Sequence, residues 1–132
     1  MIVDTSALIS VLRHEPDGDL FAEALANAST GISVSAATML EAHIVVQRLD
    51  TEGLEERLDE LIADYSIEIL PFGASQLSAA IEAHRRFGKG SGHQARLNFG
   101  DCFAYALAKE SGEPLLFKGD DFARTDVEAV LT

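Results

Sequence analysis

The sequence predicts an α/β fold in which a mainly parallel central sheet carries helices on both faces. Short apolar runs alternate with segments of helical periodicity along nearly the whole chain. The spacing between successive runs matches that of β-α-β units, whose strands lie parallel. The chain has 132 residues, of which 47% are hydrophobic, which suits one domain with a packed core.

Short apolar runs bounded by turn or capping residues are the predicted strands. The first is the opening triplet, followed by Asp4 and the capping-type residues Thr5 and Ser6, where a helix should begin. The predicted strands are 1–3, 31–37, 67–72 and 114–117, with 127–132 as a candidate for a last strand.

Helical spacing of apolar residues identifies the segments between the strands. Thr38 is a plausible N-cap with Glu41 three residues later, the pattern of a capping box. Segment 54–65 is strongly amphipathic, with leucines and an isoleucine on one face and acids on the other. The predicted helices are one that begins after Asp4, followed by 17–29, 38–49, 54–65, 74–87 and 100–112.

Composition excludes several classes of protein. No apolar run reaches the length of a membrane span, and the start of the chain lacks a basic leader, so we expect a cytoplasmic protein. Cys102 is the only cysteine, which excludes intramolecular disulfides and thiol-rich zinc sites. The net charge of −12 argues against nucleic acid. However, residues 84–124 hold seven of the ten Lys/Arg and five of the 22 acids, so this third of the chain is locally basic.

Acidic residues lie directly after predicted strands or near the start of predicted helices. Asp4 ends the first strand, Glu41 lies in the first turn of a helix, Asp101 begins another helix, and Asp120 and Asp121 follow 114–117. Because ligands of an open parallel sheet bind at the carboxyl ends of its strands, we expect these acids to converge. Singly, each could instead serve as a helix cap or turn residue.

Converging carboxylates repel one another unless a cation joins them. Hard oxygen ligands without cysteines suit Mg²⁺ or Mn²⁺. Such ions polarise phosphodiesters and activate water, so the pattern indicates hydrolysis of nucleic acid.

Four blocks of this sequence resemble the PIN domain, and most closely the VapC toxins of bacterial type II toxin–antitoxin modules. The blocks are "IVDTSAL", "MLEA", "LNFGDCFAYALAK" and "PLLFKGDDF", and the resemblance extends from residue 1 to about residue 127. It implies a single PIN domain over 1–132, an α/β/α sandwich, and an endoribonuclease that depends on Mg²⁺ or Mn²⁺. It also implies a homodimer that is inhibited by a VapB-type antitoxin and meets DNA only through that antitoxin. The RNA substrate would be of the tRNA or rRNA class.

The resemblance assigns roles to residues of this chain. Asp4 and Asp101 match the acids that bind metal in the family, and Glu41 matches the acid that holds a water molecule or a second ion. Ser6 matches a small hydroxyl residue with a modest role at the same site.

The chain departs from the family pattern at the fourth acid. Aligned on Phe122, the inner aspartate of the family is replaced by Gly119, while the outer one is Asp121. If the backbone stays extended after Phe117, Asp121 faces the site and Asp120 faces solvent, because alternate residues share a face. A turn at Gly119 would break that register.

Basic residues near these blocks are candidates for contacts with RNA phosphates. They are Lys89, Arg96, Lys118 and Arg124.

Three other functions are compatible with parts of the sequence. The loss of an acid at Gly119 favours a binding module that has lost catalysis and acts only with its antitoxin. A phospho-receiver domain is disfavoured because its acid pair should follow the first strand. A cysteine hydrolase is disfavoured because Cys102 precedes an apolar helical face, and no histidine is close to it in sequence.

Overall fold

The computed structural model describes residues 1–131 and confirms a parallel sheet between two layers of helices. The four strands lie side by side in the order β3-β2-β1-β4, and all three pairings are parallel. The strands are β1 (Ile2–Val3), β2 (Ser33–Ser35), β3 (Glu68–Leu70) and β4 (Leu115–Leu116). The helices are α1 (Thr5–Leu12), α2 (Gly18–Ala26), α3 (Ala36–Leu49), α4 (Leu54–Asp64), α5 (Ala74–Phe87) and α6 (Phe99–Ser111), followed by a 3₁₀ turn (Phe122–Arg124).

Two large apolar clusters, one on each face of the sheet, form most of the core, and a small third cluster contains residues of α5 and α6. Val3 and Leu116 pack with helices α1 to α4, whereas their neighbours Ile2 and Leu115 pack with α5 and α6. Side chains of successive strand residues point to opposite faces of the sheet, so of two adjacent apolar residues each packs against a different layer of helices. All four side chains are fully buried. This explains why strands of only two residues suffice at the centre of the sheet.

The helix after β2 begins earlier than the sequence predicts. Ser35 is the N-cap of α3, and its hydroxyl accepts a hydrogen bond from the Ala37 amide at 3.2 Å. The predicted capping box of Thr38 and Glu41 is therefore wrong, because Thr38 is already inside the first turn and buried. Glu41 therefore has no capping role in this helix.

The predicted last strand at 127–132 is not observed, since residues 127–131 form no strand. Thr132 lies outside the described residues. Ala129 forms one isolated parallel bridge with Leu115, with hydrogen bonds from the Leu115 amide to Glu128 and from the Val130 amide to Leu115. Because β4 has only two residues, it offers too short an edge for a longer ladder.

Across residues 1–131, no helix combines the length and apolar character that crossing a bilayer requires.

Candidate active site

Asp4 lies at the carboxyl end of central strand β1 and is also the N-cap of α1. Its Oδ2 accepts hydrogen bonds from the Ser6 amide at 3.0 Å and from the Ser6 hydroxyl at 2.6 Å. Its Oδ1 is buried and has no hydrogen-bond partner among the described residues. One oxygen therefore caps the helix, while the other remains available for a ligand.

The environment of Asp4 disfavours its charge. The pKa of the Asp4 carboxyl is raised to about 6, chiefly by burial and to a smaller extent by the nearby charge of Glu41. The hydrogen bonds from Ser6 lower that pKa and so oppose the shift. A cation beside Oδ1 would relieve the same unfavourable charge.

Glu41 is held between helices α1 and α6. The Thr5 hydroxyl donates to Glu41 Oε1 at 2.6 Å. On the other side, a Cβ placed on Gly100 would overlap the Glu41 carboxylate. Neither neighbour could be predicted from the sequence, because both are remote from Glu41 along the chain. Thr5 and Gly100 together fix the direction of this carboxylate.

Asp101 forms the capping box of α6. Its Oδ2 accepts a hydrogen bond from the Asn98 amide, and Asn98 Oδ1 accepts one from the Asp101 amide, both at 2.9 Å. Burial raises the pKa of Asp101 to about 7, although the hydrogen bond from Asn98 opposes the shift. The charges of Asp4, Asp121 and Glu41 also raise this pKa. Asp101 is therefore close enough to all three other acids for their charges to act on it.

The segment after β4 turns, so the extended register expected from the sequence is wrong. Gly119 has φ of +99°, a conformation that other residues rarely adopt. Asp120 and Asp121 are both exposed, and Asp121 precedes the 3₁₀ turn without capping it. Of this pair, Asp121 is the one whose charge contributes to the raised pKa of Asp101.

The four predicted acids thus share one electrostatic region at the carboxyl edge of the sheet. Within residues 1–131, however, no three acidic, histidine or cysteine side chains converge into a preformed metal cage. The residues still fit a hard cation, because Asp4 Oδ1 is an unpartnered buried oxygen and the neighbouring donors are carboxylates. Asp4 and Asp101 are the candidates to hold it.

The basic residues suggested for phosphate contacts differ in their surroundings. The Lys118 ammonium lies 3.0 Å from Asp17 and 3.4 Å from Glu15. Arg124 donates to the Gln94 carbonyl at 3.4 Å. Lys89 and Arg96 are exposed in the segment between α5 and α6 and form no ion pair with any described residue.

Cys102 has no nucleophilic character. The side chain is buried, and burial raises the pKa of its thiol to about 11, so the thiol stays protonated at neutral pH.

Comparison with solved structures supports the fold. The chain resembles VapC20 of Mycobacterium tuberculosis, described as a sarcin–ricin loop cleaving toxin, with a TM-score of 0.76, 16% identity, and coverage of 96% of this chain and 95% of that one. It also resembles VapBC2 from Rickettsia felis bound to a promoter DNA fragment, with a TM-score of 0.74, 17% identity, and coverage of 97% and 94%.

Comparison with curated sequences is more specific. The PIN domain family matches residues 1–128. Ribonuclease VapC28 of M. tuberculosis is 47% identical over 131 residues, which are 99% of this chain and 98% of that protein. Ribonuclease VapC42 of M. tuberculosis is 42% identical over 132 residues, covering both chains fully. The acidic edge of the sheet thus belongs to a chain that is a PIN domain of the VapC ribonuclease family.

Proposed function

We propose that this chain is the toxin of a type II toxin–antitoxin module, an endoribonuclease whose acidic site hydrolyses RNA with the help of Mg²⁺, or of Mn²⁺ in its place. The observation that carries this proposal is the unpartnered buried oxygen of Asp4 within reach of other carboxylate charges. The family membership and the ribonuclease names of the curated relatives support the reaction class.

Each acid has a distinct role in the proposed mechanism. Asp4 and Asp101 hold the cation, which supplies polarisation of the phosphodiester and a more acidic water. Glu41, fixed by Thr5 and Gly100, accepts a hydrogen bond from the attacking water and orients it. Asp121, on the exposed turn, helps to orient that water or binds a second ion.

The substrate is RNA of the tRNA or rRNA class, and its phosphates meet the locally basic part of the chain. Lys89, Arg96 and Arg124 are the candidates for these contacts, since none of them has an ion-pair partner among the described residues. We expect the reaction to take place in the cytoplasm, where such RNAs are found.

The proposed inhibitor is a VapB-type antitoxin whose C-terminal segment wraps the toxin and blocks the acidic site. Solved structures with the same fold include a toxin–antitoxin complex from Klebsiella pneumoniae and the Rickettsia felis VapBC2 complex with DNA. By analogy, this chain would meet DNA only through its antitoxin.

The proposed homodimer uses an apolar groove of about 550 Å³ between α5 and α6. Leu77, Ile81 and Phe99 are large apolar residues on this groove, with exposed fractions of 49%, 47% and 79%. Exposed apolar surface of this kind is typical of a protein interface. Its lining residues are Phe72, Leu77, Ala80, Ile81, His84, Phe99, Cys102 and Phe103.

Replacement of Asp101 by Asn tests the catalytic proposal. We expect RNA cleavage in Mg²⁺ to fall about a hundredfold or more, since losing a ligand should exceed the effect of losing a supporting group. Cleavage of total RNA, with new ends mapped, is the measurement, and chelation by EDTA should abolish it. Asp120→Asn is the matched control and should retain activity. An Asp101→Asn protein as active as the wild type would overturn the assignment.

Replacement of Asp4 by Asn should stabilise the metal-free protein at pH 7.5. Because the folded-state pKa of about 6 exceeds the ordinary value of 3.8, folding binds a proton between these values. The free energy of unfolding therefore falls as pH rises from 3.8 to about 6, and above pH 6 the full destabilisation by the charged Asp4 is present. The cost is on the order of 2 to 3 kcal/mol, so removing it should raise Tm by several degrees.

Thermal unfolding in EDTA at pH 4 and at pH 7.5 measures this effect. The difference between Asp4→Asn and wild type should largely vanish at pH 4, and Asp120→Asn should behave as wild type at both. An Asp4→Asn protein that is less stable than wild type at pH 7.5 contradicts the account of Asp4.

Replacement of Gly100 by Ala should impair cleavage without unfolding the chain. The new methyl group displaces the Glu41 carboxylate, whereas Ala favours a helix over Gly by about 1 kcal/mol. We expect a fall in kcat of roughly tenfold to a hundredfold, with Tm unchanged or raised. Gly31→Ala is the control, because nothing lies near its added Cβ. Full activity of Gly100→Ala would show that the position of Glu41 is unimportant.

Replacement of Ile81 by Glu tests the homodimer. A charge in the apolar groove should convert the dimer to a monomer in analytical ultracentrifugation. Leu20→Glu, at an exposed residue of α2, should remain dimeric. If wild type sediments as a monomer, or Ile81→Glu as a dimer, the groove is not the interface.

A further inference from the structure

Lys118 connects two parts of the chain that meet beside the acidic site. Its backbone amide donates to the Ser6 hydroxyl at 3.0 Å, and that hydroxyl donates to Asp4 Oδ2 at 2.6 Å. The amide and the carboxylate are therefore joined through a single side chain. Any displacement of the backbone at Lys118 would alter the hydrogen bond that orients Asp4.

The side chain of Lys118 reaches the connection between α1 and α2. Its ammonium lies 3.0 Å from Asp17 Oδ1 and 3.4 Å from Glu15 Oε1. Asp17 Oδ1 also accepts a hydrogen bond at 2.8 Å from the hydroxyl of Ser10, a fully buried residue of α1. The partner of the ammonium is thus anchored to the core of the molecule.

The turn that follows Lys118 carries an acid of the site. The backbone bends at Gly119, which has a positive φ, and the charge of Asp121, three residues after Lys118, acts on Asp101. A fixed Lys118 therefore constrains this turn at its first residue. Lys118 thus restrains Ser6 through its backbone amide and limits where Asp121 can lie relative to Asp101.

We propose that Lys118 is a positioning residue, which holds the turn after β4 against the α1–α2 connection and so orients Ser6 and Asp4 for cation binding. The catalytic part of this inference rests on the proposed function. It differs from the phosphate contact expected from the sequence, because a phosphate would have to displace two carboxylates from the ammonium. Asp17 raises the pKa of Lys118, which keeps the ammonium charged.

Lys118→Met removes the charge and keeps the apolar stem, and Lys118→Arg restores a cation. In the metal-free protein, we expect the residue-118 amide of the Met variant to exchange with solvent about tenfold faster or more, measured by NMR. Lys109→Met is the matched control, since it makes the same change in net charge and breaks an ion pair of 3.2 Å at the opposite end of α6. Unchanged exchange in Lys118→Met would overturn the proposal.

The second measurement is cleavage as a function of Mg²⁺ and RNA concentration. We expect Lys118→Met to lower kcat and raise the Mg²⁺ midpoint by roughly tenfold to a hundredfold, with KM for RNA nearly unchanged. Asp17→Asn should reproduce this effect, the double variant should be no worse than either single one, and Lys118→Arg should recover most of the activity.

A direct phosphate contact would give a different result. Lys118→Met would then raise KM and weaken its salt dependence, while Asp17→Asn would leave cleavage intact, and that outcome would overturn the positioning role. If wild type fails to cleave RNA, the proposed function is wrong. Amide exchange and Mn²⁺ affinity, measured by electron paramagnetic resonance, then still decide whether Lys118 orients the site.

Discussion

The burial of one carboxylate at the end of the central strand is the constraint on which the site depends. β1 lies between β2 and β4, so Asp4 emerges where the two apolar layers and the helix termini meet. Its Oδ2 is used to begin α1, and this leaves Oδ1 buried without a partner among the described residues. The fold thus accepts an unfavourable charge at its centre, which is a feature of functional sites rather than of stable cores.

The sequence was sufficient to predict the layers of the fold but not every boundary. Alternating apolar runs and helical segments predict the parallel sheet, because these patterns reflect burial on both faces. The predicted start of α3 was wrong because Ser35 and Thr38 are both good N-caps. The residue at which β2 ends decides between them, and the sequence does not show where that is. Whether the chain turns at Gly119 could not be predicted, because the residues of that segment are equally compatible with an extended backbone and with the turn that is observed.

The convergence of the acids at one edge of the sheet was predictable, whereas the residues that hold them in place were not. Asp4, Glu41 and Asp101 stand out because the sequence pattern puts each at the end of a strand or near the start of a helix, although Glu41 lies in the second turn of α3. Thr5 and Gly100 do not stand out, since their importance depends on how α1, α3 and α6 pack against one another. For the same reason, sequence position alone suggested a phosphate contact for Lys118, whereas the structure places its ammonium between two carboxylates.

The strongly acidic composition is compatible with an RNA substrate once the charges are located. The site concentrates negative charge where a cation is expected, and the nearby segment between α5 and α6 carries basic residues without acidic ones. The basic segment that would attract RNA is therefore separate from the acidic site that would repel it. If RNA binds as proposed, this arrangement would make its binding sensitive to divalent ions and to ionic strength together.

The close contact between Gly100 and Glu41 has a consequence for the genetics of a toxin. Cells that express a growth-inhibiting protein without its antitoxin survive by acquiring mutations that inactivate it. At Gly100, an added Cβ collides with the Glu41 carboxylate and with no atom of the apolar core among its three nearest neighbours. Survivors altered at this codon should therefore still produce a folded protein that has lost cleavage.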